Sequence, residues 1–418
     1  MPRRHHLPRV AAGAAVLALL GCGGSGNSNP TGTSGSSSAS GSSSASSSGS
    51  SSSSASSGGT SPSASSSDPR TSACVADVRE AMTPTQQAGQ LLMAAMYPGS
   101  ATSLDPYIDD QGLGSMLYLG GWQGSSAVEA ASSHLQQVAP TIDGTTVGML
   151  VSADQEGGQV QQFTGAGFSS IPSGLDQARL PDLRSSAKGW GAELASVGVD
   201  VNLAPVADTV PASVGRANEP IGQWGREYGS TPQVAGAGAL AFAQGMQDAG
   251  VEPTVKHFPG IGRITGNPDL TAQGITDDEM TTDDPQLAAF KTVIDGGTNI
   301  VMVGSARYAK IDPGTPAVFS ERIIEGMLRR GLDFDGVVIT DDVGAAAAVQ
   351  ATSVAQRATR FIAAGGDIVL TVEPDQVPTM TSAIVEEAKG DPAFADQVQR
   401  SVTRVLALKE DMGLLICG

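Results

Sequence analysis

Asp341 and Asp342 stand at the end of an apolar, β-branched run, Gly336-Val337-Val338-Ile339-Thr340. Such a run predicts a buried parallel strand, and side chains just past the carboxyl end of a parallel strand face a shared active site. A carboxylate there can be a nucleophile, a base or a ligand, although Asp at a strand end also caps turns. The same arrangement recurs along the chain. Asp154-Gln155-Glu156-Gly157-Gly158 follows an apolar run at 147–153, and Asp208 follows one at 199–205 and leads on to Arg226-Glu227-Tyr228-Gly229. Lys256-His257-Phe258-Pro259-Gly260-Ile261-Gly262 closes the run at 254–257 and continues to Asn267-Pro268-Asp269, while Arg307 and Tyr308 follow 299–303.

Carboxylates accept from hydroxyls and Lys and Arg donate to them, so this set suits a neutral, hydroxyl-rich ligand. Two carboxylates flanking a bond would suit glycoside hydrolysis. Beyond residue 72 the only histidines are His134 and His257, and no metal-ligand spacing, P-loop or dinucleotide fingerprint occurs. No metal and no cofactor are expected.

These residues need a scaffold of strands alternating with helices. Strand patterns at 90–96, 114–119, 147–153, 199–205, 254–257, 299–303, 337–340 and 367–372 alternate with helical patterns, among them 234–249, 284–295, 320–330 and 354–364. Thr83-Pro84-Thr85-Gln86 carries a capping-box start, and the glycine pairs at 296–297 and 365–366 are helix stops. Eight strands over one uninterrupted length predict an α/β fold, a single-domain (β/α)8 TIM-type barrel over 73–418.

The preceding segment is not barrel. Arg3, Arg4 and Arg9 flank or precede an apolar run that ends Leu19-Leu20-Gly21-Cys22, the pattern of a secretory signal at 1–21 and too short to span a membrane. The Leu-Leu-Gly-Cys ending resembles a bacterial lipobox, which implies lipid attachment at Cys22; an ordinary signal peptide with an incidental Cys is the alternative, and the export route stays open. The stretch 22–72 is almost wholly Ser, Gly, Ala and Thr, a composition that predicts a disordered tether. The expected location is the outer face of the cytoplasmic membrane. Cys74 and Cys417 lie at opposite ends of the predicted domain, and in an oxidising compartment a disulfide between them is expected, against two free thiols. A net charge of −18 argues against nucleic acid or an anionic lipid surface as partner. A monomer is the default expectation.

Four pieces together resemble glycoside hydrolase family 3, in its single-barrel β-N-acetylglucosaminidase branch: Asp154-Gln155-Glu156-Gly157-Gly158, Leu203-Ala204-Pro205-Val206-Ala207-Asp208, Lys256-His257-Phe258-Pro259-Gly260 and Gly336-Val337-Val338-Ile339-Thr340-Asp341. The resemblance implies a retaining mechanism with Asp341 as nucleophile, and Asp154, Arg226, Lys256 and His257 holding the sugar. It also implies N-acetylglucosamine-containing cell-wall glycans or their fragments as substrate. The chain departs from that branch after Gly262, where the family has an Asp-Ser-His ending whose His is the acid/base. By count from Lys256, Asn267 stands at the Asp position and Asp269 at the His position; Ile261 and Ser305 also replace histidines. Either Asp269 takes over as general acid, with a raised pKa, or catalysis is weak or lost and the barrel binds glycans. A phosphorylase, in which phosphate replaces water, is a further alternative.

Overall fold

The structure is a computed structural model that describes residues 72–417, so the expected signal segment, Cys22 and all but the last residue of the tether lie outside the described residues. Its centre is an eight-stranded parallel sheet: β1 Leu92–Met96, β2 Ser115–Tyr118, β3 Leu150–Ala153, β4 Val201–Asn202, β5 Glu252–Phe258, β6 Ile300–Val303, β7 Val337–Thr340 and β8 Val369–Thr371. Each strand pairs with its sequence neighbours, β1 pairs with β8, and a parallel bridge between Ile339 and Ile368 joins the two remaining edges. The sheet is therefore the predicted (β/α)8 barrel, with one narrow seam at β7–β8. Val, Ile, Leu and Met fill it because the barrel interior and the helix layer bury both faces of each strand.

Most predicted strands run longer than the observed ones, most of all at 199–205, where only Val201–Asn202 forms regular strand. Residues 203–210 are all buried, yet they form irregular backbone leading into the rim. An apolar run shows burial, not ladder pairing, and Pro205 has no N–H to offer a ladder. The capping box at Thr83 forms, with Thr83 Oγ1 accepting from Gln86 N at 3.3 Å.

The amino-terminal end of the barrel is closed by the last helix, Pro392–Asp411. Its Lys409 is fully enclosed and donates to Gln90 Oε1 and the Gly114 carbonyl at 2.7 and 2.8 Å. Its Arg404 reaches Asp367 Oδ1 at 3.0 Å, while Arg329 Nη2 reaches Asp367 Oδ2 at 2.7 Å. Asp367 Oδ2 also accepts from Val338 N at 2.8 Å, which pins the β7–β8 seam where the ladder is thinnest. A disulfide joins Cys74, in the first helix Ala73–Ala81, to Cys417, and Ser72 Oγ donates to Glu410 Oε1 at 2.8 Å.

Asp367 is shared by the buried Arg329 and the part-buried Arg404, and without it Arg329 keeps only the longer contact to Glu325, at 3.6 Å. Asp367→Asn is expected to lower the unfolding free energy by about 3–5 kcal/mol, read as an earlier urea midpoint; an unchanged midpoint would show that the seam does not depend on this group.

Candidate active site

Beyond the carboxyl end of β3 the chain turns into a short hairpin, Gln155–Gly157 against Val160–Gln161, which carries the Asp154-Gln155-Glu156 sequence. Asn202 on β4 holds it from beside: its side-chain amide donates to the Gln155 carbonyl at 3.1 Å, and its Oδ1 accepts from Gln155 N at 3.0 Å. On β5, the register with β6 shifts between Val255 and Phe258. Such an irregularity breaks the strict in–out alternation of a strand, and here both Lys256 and His257 make buried contacts at the rim.

Lys256 Nζ lies 2.5 Å from Asp154 Oδ1 and 2.6 Å from Glu156 Oε1. Arg226, on the long segment after β4, grips Glu156 with two parallel bonds, Nε–Oε2 at 2.8 Å and Nη2–Oε1 at 2.7 Å, and donates through Nη1 to the Pro220 carbonyl at 2.7 Å. Burial alone would raise the Glu156 pKa, but the Arg226 and Lys256 charges overcome it and hold this carboxyl well below the usual range. Burial would likewise lower Lys256; Asp154 and Glu156 reverse that and raise it. Two cations and two anions thus neutralise one another in a nearly dry cluster.

His257 is fixed separately. Its Nδ1 donates to Asp208 Oδ2 at 2.7 Å, leaving Nε2 as the other polar atom of the ring. Asp208 also accepts from the backbone N–H of His257 and of Ile261, at 3.1 and 2.7 Å, so one buried carboxylate shapes the start of the loop after β5. Gly262 permits this closeness, because a Cβ there would sit 1.9 Å from the Thr209 carbonyl oxygen. Asn218 braces the same loop from the opposite side, donating to the Ile261 and Ile264 carbonyls, both at 2.7 Å. The Tyr308 hydroxyl adds a bond to the Gly260 carbonyl at 2.9 Å.

Asp341 continues the ladder by donating its N–H to the Val303 carbonyl at 2.9 Å, which carries it to the rim at the end of β7. Its Oδ1 accepts from Asp342 N at 2.9 Å. Asp342 turns the other way and accepts from the backbone N–H groups of Gly344, Ala345, Ala346 and Val372. It organises the β7 loop and ties it to the end of β8.

Asp269 reaches the same region from the loop after β5. Ala348 N donates to the Pro268 carbonyl at 2.9 Å and Ala347 N to the Asp269 carbonyl at 3.1 Å, docking this loop onto the one that follows Asp341. Asp269 keeps solvent contact at the mouth of the cleft. Protein crowding its carboxyl and then the negative charges of Asp341 and Asp342 raise its pKa, with the Arg226 charge opposing the rise.

The structure thus brings Lys256 into contact with Asp154, links Arg226 to Lys256 through Glu156, sets His257 next to Lys256 on β5, and places Asp341 and Asp269 within electrostatic reach of each other. Arg307 points instead to the Ala348 carbonyl, at 3.2 Å, and Tyr308 is a brace. Sequence reasoning did not single out Glu156 as the hub of the ionic cluster, nor Asp208 as the partner of His257, although each lies within a quoted motif. A buried acid that must be neutralised between Lys and Arg was the available sign. Asn202 and Asn218 carried no sign at all, since their partners are backbone atoms far along the chain.

A parallel barrel with paired carboxylates and a neutralised polar cluster on its carboxyl rim defines a barrel enzyme acting on O-glycosyl bonds, and comparison with known proteins places it more closely. The family Glycosyl hydrolase family 3 N terminal domain matches residues 85–408, and the chain belongs to this family. A β-hexosaminidase of Xanthomonas oryzae pv. oryzae is 31% identical over 294 residues, 68% of this chain and 84% of that protein. The crystal structure of a β-N-acetylhexosaminidase from Beutenbergia cavernae superposes with a TM-score of 0.76 at 42% identity, over 79% of this chain and 99% of that one. Mycobacterium tuberculosis LpqI superposes with a TM-score of 0.69 at 27% identity, over 80% and 96% of the two chains.

Glu156→Gln leaves Lys256 paired with Asp154 and strips Arg226 of its bidentate partner, with only the more distant charges of Asp208 and Asp154 to offset it. The expected cost is about 3–5 kcal/mol of stability, measured by denaturant unfolding. The double variant Glu156→Gln, Arg226→Met is expected to cost less than the sum of the two single changes; strict additivity would show that the pair is not coupled.

Proposed function

We propose that this protein is a retaining glycoside hydrolase that removes β-linked N-acetylglucosamine from cell-wall glycans or their fragments. The observation that carries the reading is the juxtaposition of Asp341, fixed at the end of β7, with Asp269, whose loop is hydrogen-bonded onto the residues that follow Asp341. Both lie on the carboxyl rim with the cluster formed by Asp154, Glu156, Arg226 and Lys256. The names of the relatives support the N-acetylhexosaminide class.

In this reading Asp154, Arg226, Lys256 and His257 hold the hydroxyls of the terminal sugar. Asp341 attacks the anomeric carbon while Asp269 gives its proton to the departing glycosidic oxygen, leaving a glycosyl ester on Asp341. Asp269, now a carboxylate, takes a proton from water, which attacks the same carbon and frees Asp341. A general acid must be protonated when it acts, and the raised pKa of Asp269 keeps that form populated at higher pH than an ordinary aspartate would. Phosphorolysis is the second reading: Asp269 stands where the branch has an acid/base His, and phosphate brings its own base.

The amino-terminal Leu19-Leu20-Gly21-Cys22 supports an exported enzyme held to the outer face of the cytoplasmic membrane by lipid on Cys22. Cys22→Ala is expected to move the protein from the membrane fraction to the soluble one; unchanged fractionation argues against the anchor.

Activity is tested with an activated aryl β-N-acetylglucosaminide, with and without phosphate. Asp341→Asn is expected to abolish turnover, and a mechanism-based fluoro-sugar to leave its mass on Asp341. Asp269→Asn is expected to cost about 10²–10⁴-fold on poor leaving groups and less on good ones. Wild-type activity falls as pH rises through the Asp269 pKa, and Asp269→Asn removes that alkaline limb. Acceleration by phosphate would favour phosphorolysis. A folded protein that binds the sugar without turnover would replace the enzyme by a glycan-binding protein.

A further inference from the structure

The rim residues assigned so far come from the β3, β4, β5 and β7 loops. The loops after β1 and β8 line a separate, open depression of about 440 Å³ on the same rim, a volume suited to a small ligand. Its wall includes Tyr97, Ser100, Ser103 and Tyr107 from the segment after β1, and Glu373 and Asp375 from the segment after β8.

Tyr97 is 44% exposed, directly after the last residue of β1, yet it is not a loose side chain. Its hydroxyl donates to the Val372 carbonyl at 3.0 Å. Gly120, after β2, packs against the ring: a Cβ there would lie 3.0 Å from Tyr97 Cδ1 and 3.1 Å from Pro98 Cδ. A glycine with φ +90 backs the ring, and the tether at Val372 fixes its tilt, while the exposed part stays open to a ligand. Aromatic rings held in this way pack against apolar ring faces, and neighbouring carboxylates and serines exchange hydrogen bonds with hydroxyls at the ring edge.

The cavity is mechanically continuous with the catalytic region. Val372, which tethers Tyr97, donates its own N–H to Asp342 Oδ1 at 2.9 Å, and Asp342 in turn donates its N–H to Asp341. The ionic cluster lies toward β3–β5 and the cavity toward β8–β1, with Asp341 on β7 between them around the ring.

Resting on the hydrolase reading above, we propose that this cavity is the subsite for the second pyranose ring of the glycan, stacked on Tyr97 and hydrogen-bonded through its hydroxyls to Glu373 and Asp375. The terminal ring occupies the cluster, and the second ring gains its contacts only from the β1 and β8 loops. A substrate whose leaving group is fluoride, which has no ring to stack and no hydroxyls to bond, does not use them.

Tyr97→Ala and Glu373→Gln are compared with wild type on di-N-acetylchitobiose and on the one-ring β-N-acetylglucosaminyl fluoride. The expected result is a loss of about tenfold in kcat/KM on the two-ring substrate, with the one-ring substrate changed by less than about twofold. Equal losses on both, or none on either, overturn the proposal. Saturation-transfer NMR of di-N-acetylchitobiose with Asp341→Asn protein asks the same question without turnover. Contacts to both rings, with those of the second ring lost when Tyr97→Ala is added, support the subsite; contacts to the terminal ring alone, or second-ring contacts that survive the change, overturn it. A wild type inactive on the one-ring substrate counts against the hydrolase reading, and the binding result still decides the subsite.

Discussion

Four charges that cannot each stand alone in a dry site set the architecture of this protein. Glu156 and Lys256 are almost fully enclosed, and Arg226 and Asp154 are only slightly more open. An isolated buried charge is costly, whereas two anions and two cations in contact offset one another. That balance requires the hairpin after β3, the long segment after β4 and the bulged end of β5 to meet within hydrogen-bond distance. The neutral amides of Asn202 and Asn218 satisfy the backbone that this convergence would otherwise strand. The cluster becomes a rigid, electrically neutral surface with donors and acceptors in fixed directions, which is what recognition of hydroxyls asks for.

The two ends of the barrel divide the work. At the amino-terminal end, Lys409, Arg404, Arg329 and Asp367 close the structure with interior contacts from the last helix and the β7–β8 seam. At the carboxyl end, charged groups meet in an open rim, and acceptors such as Asp342 and Asp208 are saturated by backbone N–H groups, fixing loops that have no regular structure.

The loop after β5 is held in place by its contacts with the loop after β7. Asp269 arrives on a segment docked to the residues after Asp341, in a crowded setting with a like charge close by. That setting favours the protonated form of a carboxyl.

Much of this was legible in the chain itself. The alternation of apolar strand runs and helical patterns determined the barrel, because burial on both faces leaves a local, periodic trace. Asp341, Asp154 and Lys256-His257 were visible as polar residues directly after such runs. Glu156 as a hub, the Asp208–His257 pair, the asparagine braces and the cavity behind Tyr97 were decided only in three dimensions. Each joins residues that are tens or hundreds of positions apart, and such a pairing has no period or spacing to betray it. The end of β4 was misjudged for a related reason: residues 203–210 are as buried as a strand, but past Asn202 their backbone meets β3 and β5 only through scattered bonds, such as Leu203 N to the Ala153 carbonyl and Lys256 N to the Pro205 carbonyl. Local sequence determines which segments are buried and how they repeat; only closure of the barrel decides which distant charges must neutralise one another.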